Sequence, residues 1–99
     1  MPNSKAVFLD RDGTIIYDTG YPKDPETVQL LVGVIEALSF IEKQGYKLII
    51  VSNQSGIGRG ILSHNDVKNI NDRIISILKL NGITINGVYY CPHAPDERC

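Results

Sequence analysis

Ala6-Val7-Phe8-Leu9-Asp10-Arg11-Asp12-Gly13-Thr14 is the stretch on which the fold turns. Four apolar residues in a row, without polar alternation, predict a strand buried on both faces, as in a parallel sheet. The run stops abruptly at two carboxylates separated by one residue. Carboxylates this close repel each other unless one is protonated or a cation lies between them. A divalent ion answers that need, and hard oxygen donors favour Mg²⁺. A carboxylate at a strand end can also attack phosphorus to give an aspartyl-phosphate, while its neighbour protonates the leaving oxygen and later activates water. The competing reading is an ordinary Asp-Gly turn after a buried strand.

Outward from this point the chain alternates. Residues 15–31 are mixed, with Gly20, Pro22 and Pro25 as breakers. Val34, Ile35, Leu38 and Ile41 fall at helical spacing and predict a helix over about Gly33–Gln44, with Gly45 suited to the left-handed position beyond its end. Lys47–Val51 predicts a second strand that stops at Ser52-Asn53-Gln54-Ser55, after which Gly56, Gly58 and Gly60 are expected to keep the chain irregular. Ser63 and Asp66 resemble a capping box. The helix they open carries Val67, Ile70, Ile74, Ile77 and Leu78 on one side and stops at Asn81-Gly82. A third strand covers about Gly87–Tyr90. The order is β-α-β-α-β, an α/β fold with parallel strands and a single domain over residues 1–99. Ligands of such sheets bind beyond the carboxyl ends of the strands, which here carry Asp10, Ser52 and Cys91.

A composition of 42% hydrophobic and 21% charged residues with a net charge of −1 gives no bulk-charge support for a nucleic-acid or membrane surface. The longest aliphatic run, Leu48-Ile49-Ile50-Val51, is far short of the ~20 residues of a membrane span. Met1-Pro2-Asn3-Ser4-Lys5 leads straight into a strand without the apolar stretch of a leader, so the cytoplasm is the default. Cys91, His93 and Cys99 give Cys-x-His-x₅-Cys, a set of soft donors suited to structural Zn²⁺, which normally takes four ligands. A disulfide or free thiols is the alternative. His64, at a helix start, reads as a solvent-exposed residue.

Val7-Phe8-Leu9-Asp10-Arg11-Asp12-Gly13-Thr14 resembles the first signature of the haloacid dehalogenase superfamily of phosphatases, and Leu48-Ile49-Ile50-Val51-Ser52 resembles the second. The resemblance implies a Rossmann-like, three-layer α/β/α domain with Asp10 as nucleophile and Asp12 as general acid and base. It implies Mg²⁺ on the Asp10 carboxylate and the Asp12 backbone carbonyl, with the Ser52 hydroxyl on the phosphoryl group. Ser52-Asn53-Gln54-Ser55-Gly56-Ile57-Gly58-Arg59-Gly60 and Asp18-Thr19-Gly20-Tyr21 resemble the branch of heptose bisphosphate and histidinol-phosphate phosphatases, with the heptose type favoured. Implied substrate contacts are Arg11, Asp18, Thr19, Gly20, Tyr21, Ser52, Asn53, Gln54, Ser55 and Arg59. The implied reaction removes the 7-phosphate of D-glycero-D-manno-heptose 1,7-bisphosphate, in the synthesis of nucleotide-activated heptose for surface glycans. Cys91, His93 and Cys99 match the first three ligands of that branch's zinc loop.

The branch's fourth cysteine, its phosphoryl-neutralising Lys and its later acidic pair have no counterpart in the 99 residues. The expectation is a chain cut within its zinc loop, with little activity alone, prone to self-association at an exposed first strand, from a monomeric full-length protein. Another class remains open, a non-catalytic zinc- or phosphate-binding module.

Overall fold

The structure is a computed structural model that describes residues 5–18, 20 and 23–91, with Ser55 as backbone alone. The expectations for Thr19, Tyr21, His93 and Cys99 lie outside the described residues. The elements in chain order are β1 (Lys5–Asp10), a 3₁₀ turn (Pro25–Thr27), α1 (Val34–Lys43), β2 (Tyr46–Asn53), α2 (Ser55–Gly58), α3 (His64–Leu80) and β3 (Gly87–Cys91). The strands form one parallel sheet in the order β1-β2-β3.

Both crossovers advance in the same direction across the sheet, and right-handed connections then put α1 and α3 on the same face. Val34 and Leu38 of α1, Ile70, Ile74 and Leu78 of α3, and Leu48 and Ile50 of β2 accordingly form one core. Their spacing is that of one helical stripe against alternate residues of a strand. The capping box at the start of α3 is formed as the sequence predicts. The Asp66 N–H donates to Ser63 Oγ at 3.0 Å, and the Ser63 N–H donates to Asp66 Oδ2 at 2.9 Å. That backbone N–H is the main cause holding the Asp66 carboxyl below its ordinary range.

Three expectations need correction. β1 is not buried on both faces. Among the described residues it is an edge strand, in keeping with the expectation of an exposed first strand in this chain, and Phe8, in register with Ile49 and Gly87 on the face away from the helices, is 65% exposed. Two of the implied three layers are thus present among the described residues. Next, β2 runs on through Ser52 and Asn53, because β3 pairs with it as far as Cys91. Last, the glycine-rich segment is not wholly irregular, since Ser55–Gly58 makes a helical turn. Buried Leu62 anchors it, with the Ile61 and Leu62 N–H groups donating to the Gly56 carbonyl at 2.7 and 2.9 Å. Of its three glycines only Gly60 has a positive φ, 75°.

Candidate active site

β1 ends at Asp10, and the next turn is held from below. The Arg11 N–H continues the sheet by donating to the Val51 carbonyl at 3.1 Å. The Arg11 carbonyl then accepts from the N–H groups of Ile15 and Ile16, both at 3.0 Å, and the Gly13 N–H donates to the Ile16 carbonyl at 2.8 Å. Gly13 takes a φ of 82°, a conformation that favours glycine. Ile15 and Ile16 are almost completely buried in the core, so two large side chains pin the loop that carries the carboxylates. The sequence placed them in a mixed region. Their burial comes from pairing with residues far along the chain, through the bridge between Ile16 and Leu30 and the bond from the Leu31 N–H to the Ile15 carbonyl.

The Asp12 carboxylate accepts from three donors on two residues. Arg11 Nη2 lies 3.1 Å from Oδ1, Arg11 Nε lies 3.2 Å from Oδ2, and Gln54 Nε2 lies 3.3 Å from Oδ2. Arg11 itself is 1% exposed, and its Nη1 donates to Asn71 Oδ1 at 2.9 Å. Arg11, expected as a substrate contact, is thus held within the protein and is not among the residues that line the cleft described below. A guanidinium buried to this degree is satisfied within the protein and does not reach into the cleft. Sequence reading missed Asn71 altogether. The available signal was its position: a polar residue in the buried set of α3, beside Ile70.

Asp12, Asp18, Gly20, Asn53 and Gln54 line a cleft of about 350 Å³ at the carboxyl edge of the sheet. This brings parts of three separated segments together: the turn after β1, the loop at Asp18 and the end of β2. Asp18 is tied into its own loop, its Oδ1 accepting from the Gly20 N–H at 2.9 Å. Gln54 is buried and fixed by its N–H, which donates to the Cys91 carbonyl at 2.7 Å. Asp10 is exposed at the end of β1 and is not among the residues lining the cleft, and Arg59 is also exposed and outside it. A larger hollow of about 440 Å³ lies between α3 and β3, lined in part by His64, Asn71 and Tyr90. His64 is exposed as expected, though its Nδ1 sits 2.8 Å from the Tyr90 hydroxyl.

Four observations bear on bound groups. The hydrogen bonds of the turn run through the carbonyls of Arg11 and Ile16, leaving the Asp12 carbonyl out of the bridge. That carbonyl and the Asp10 carboxylate are hard oxygen donors of the kind Mg²⁺ takes. No cluster of three or more His, Cys, Asp or Glu side chains able to hold a metal occurs among the described residues. Cys91 is disulfide-bonded, which is not the thiolate state a zinc ligand requires. Ser52 Oγ is buried without a hydrogen-bond partner among the described residues. A buried hydroxyl left unsatisfied costs ~1–3 kcal/mol. On the expectation that the Ser52 hydroxyl meets a phosphoryl group, Ser52→Ala should leave thermal stability unchanged or raised while weakening inorganic phosphate binding roughly tenfold. Calorimetry on the whole protein checks both, and an unchanged phosphate affinity would remove Ser52 from the site.

Residues 5–97 match the family model described as polynucleotide kinase 3 phosphatase. D-glycero-beta-D-manno-heptose-1,7-bisphosphate 7-phosphatase of Photorhabdus laumondii is 46% identical over 91 residues, which are 92% of this chain and 48% of that protein. Among solved structures, a HAD-like phosphatase from Mesorhizobium loti is similar with a TM-score of 0.84 at 36% identity, over 90% of this chain and 43% of its own. D,D-heptose 1,7-bisphosphate phosphatase from B. bronchiseptica, complexed with magnesium and phosphate, gives a TM-score of 0.86 at 29% identity, over 96% of this chain and 54% of its own. The chain spans about half the length of the curated relatives it matches.

Proposed function

The chain belongs to the polynucleotide kinase 3 phosphatase family, and from this we propose that the whole protein is a Mg²⁺-dependent phosphoric monoester hydrolase acting on D-glycero-D-manno-heptose 1,7-bisphosphate. The observation that carries the reading is the cleft in which Asp12, Asp18, Asn53 and Gln54 converge beside the end of β1. The substrate class follows from the 46% identical heptose bisphosphatase. It agrees with the resemblance of Asp18–Tyr21 and Ser52–Gly60 to that branch, and removal of the 7-phosphate would serve synthesis of nucleotide-activated heptose.

An Asp10 oxygen attacks phosphorus as the bond to the sugar oxygen breaks, and Asp12 gives its proton to that oxygen. Asp12 then takes a proton from water as the water oxygen attacks phosphorus and Asp10 departs as a carboxylate. Ser52 and Asn53 hold the phosphoryl oxygens, and Gln54 steadies the Asp12 carboxylate. Asp18 and Gly20 line the cleft beside Asp12, and we assign substrate placement to Asp18, Thr19, Gly20, Tyr21, Ser55 and Arg59. The Asp10 carboxylate and the Asp12 carbonyl would hold Mg²⁺, which when bound would supply charge neutralisation at the phosphoryl group. No helix among the described residues is long and apolar enough to cross a membrane. A monomeric, cytoplasmic enzyme of small phosphorylated sugars is the setting we infer.

Parallel assays of the whole protein with Mg²⁺ on the heptose bisphosphate, histidinol phosphate and a 3′-phosphorylated oligonucleotide test this. The heptose ester should lead by at least ~10-fold in kcat/KM, the scale of one or two well-placed polar contacts. Preference for either other substrate overturns the substrate, and turnover of none overturns the phosphatase.

We also propose a structural Zn²⁺ on Cys91, His93 and Cys99 under reducing conditions, which free the Cys91 sulfur for ligation. Elemental analysis of protein purified with reductant should return about one zinc per chain, falling to background after oxidation. Zinc-free reduced protein would leave the disulfide as the only role of Cys91.

A further inference from the structure

We propose that Asn71, at the middle of α3, is a positioning residue for proton transfer by Asp12, acting through the buried guanidinium of Arg11. The inference rests on the phosphatase reading above. The buried residues of α3 are otherwise aliphatic, Val67, Ile70, Ile74 and Leu78. An amide in such a row is costly unless bonded. Its partner is not a nearby backbone group but Arg11, sixty residues away in sequence, at 2.9 Å. Arginine only donates, so the oxygen of Asn71 faces it.

The geometry divides the guanidinium in two. Nη1 is given to Asn71, while Nε and Nη2 are turned toward Asp12. A planar fork anchored at one edge has its other edge fixed as well. Arg11 thereby engages both oxygens of the Asp12 carboxylate, Gln54 adds a donor to Oδ2, and Asp12 lines the cleft with this orientation fixed. That is where the proton must be given to the leaving oxygen and later taken from water. Without an acceptor at Asn71, the guanidinium can rotate toward the hollow between α3 and β3, which Asn71 also lines. Asp12, held by Arg11 and Gln54, would shift with it. A displacement of ~1 Å in a catalytic group costs on the order of 100-fold.

A positioning role and a merely structural one differ in their leaving-group dependence. A sugar alkoxide needs Asp12's proton to depart, whereas 4-nitrophenolate does not. In the whole protein with Mg²⁺, Asn71→Leu should lower kcat/KM for the heptose bisphosphate by ~30- to 100-fold and that for 4-nitrophenyl phosphate by less than ~3-fold. Asn71→Asp keeps an acceptor and should recover most of the loss. Equal falls on both substrates, no fall on either, or an Asn71→Asp variant as damaged as Asn71→Leu would each overturn the proposal.

A second measurement is independent of turnover. The Arg11 Nε–H should exchange slowly with solvent in the unaltered protein, by ¹⁵N NMR, and at least ~10-fold faster in Asn71→Leu, a change of about 1.4 kcal/mol. Unchanged exchange would show that Asn71 does not hold Arg11 and would overturn the inference. Failure of the unaltered protein to turn over either ester would instead count against the phosphatase reading.

Discussion

Asp10→Asn should abolish turnover, lowering kcat by ~10⁴-fold or more, because an amide neither attacks phosphorus nor leaves as a carboxylate. The fold should not notice. Asp10 is exposed at the end of an edge strand, and its side chain makes no hydrogen bond or ion pair among the described residues. Surface changes of this kind usually stay within ~0.5 kcal/mol. Steady-state rates and thermal unfolding, measured on the same preparation of the whole protein, separate the two effects. Mass spectrometry should also find the phospho-adduct on Asp10 in acid-quenched wild type and not in the variant. Turnover within tenfold of wild type would take the nucleophile away from Asp10 and leave the cleft in search of another.

Ile74→Ala should have the largest effect on stability, about 2–5 kcal/mol, the range for deleting a fully buried aliphatic side chain. Ile74 is 0% exposed and belongs to the core cluster with Leu48 and Ile50, which lies between α3 and the sheet. A domain has only ~5–15 kcal/mol in all, so the loss approaches unfolding. Leu80→Ala supplies the comparison, since Leu80 belongs to the same helix yet is 84% exposed and should change little. Urea titration of both variants checks this. A loss below ~1 kcal/mol for Ile74→Ala would mean that α3 is not seated on the sheet as described.

What could be read from the sequence was what local spacing encodes. Val34 and Leu38, and then Val67, Ile70, Ile74 and Leu78, recur at the period of a helix and are buried as that period requires. Ser63 and Asp66 announce a helix start because the box is made within four residues. Asp10 and Ser52 lie near one edge because parallel strands all end on the same side. The rest depends on contacts between distant parts of the chain. Whether Phe8 is covered depends on the order of strands in the sheet, which its own neighbours do not state. Ile15 and Ile16 become core through residues 30 and 31, across a stretch with no regular period. Arg11, flanked by acids, looks like a group for phosphate, and only the approach of α3 turns it inward.

That inward turn has a consequence for how the molecule comes into being. The bond from Arg11 to Asn71 spans sixty residues, with α1, β2 and α2 between its ends, so it forms only when α3 docks. Until then the guanidinium stays hydrated and the loop bearing Asp12 lacks its support. Closing so long a span carries an entropy cost that short-range helix formation does not. Helices and turns can therefore form early, while the geometry needed for chemistry is completed late. During refolding, circular dichroism should recover ahead of catalytic competence, with maturation of the site set by docking and not by any local step.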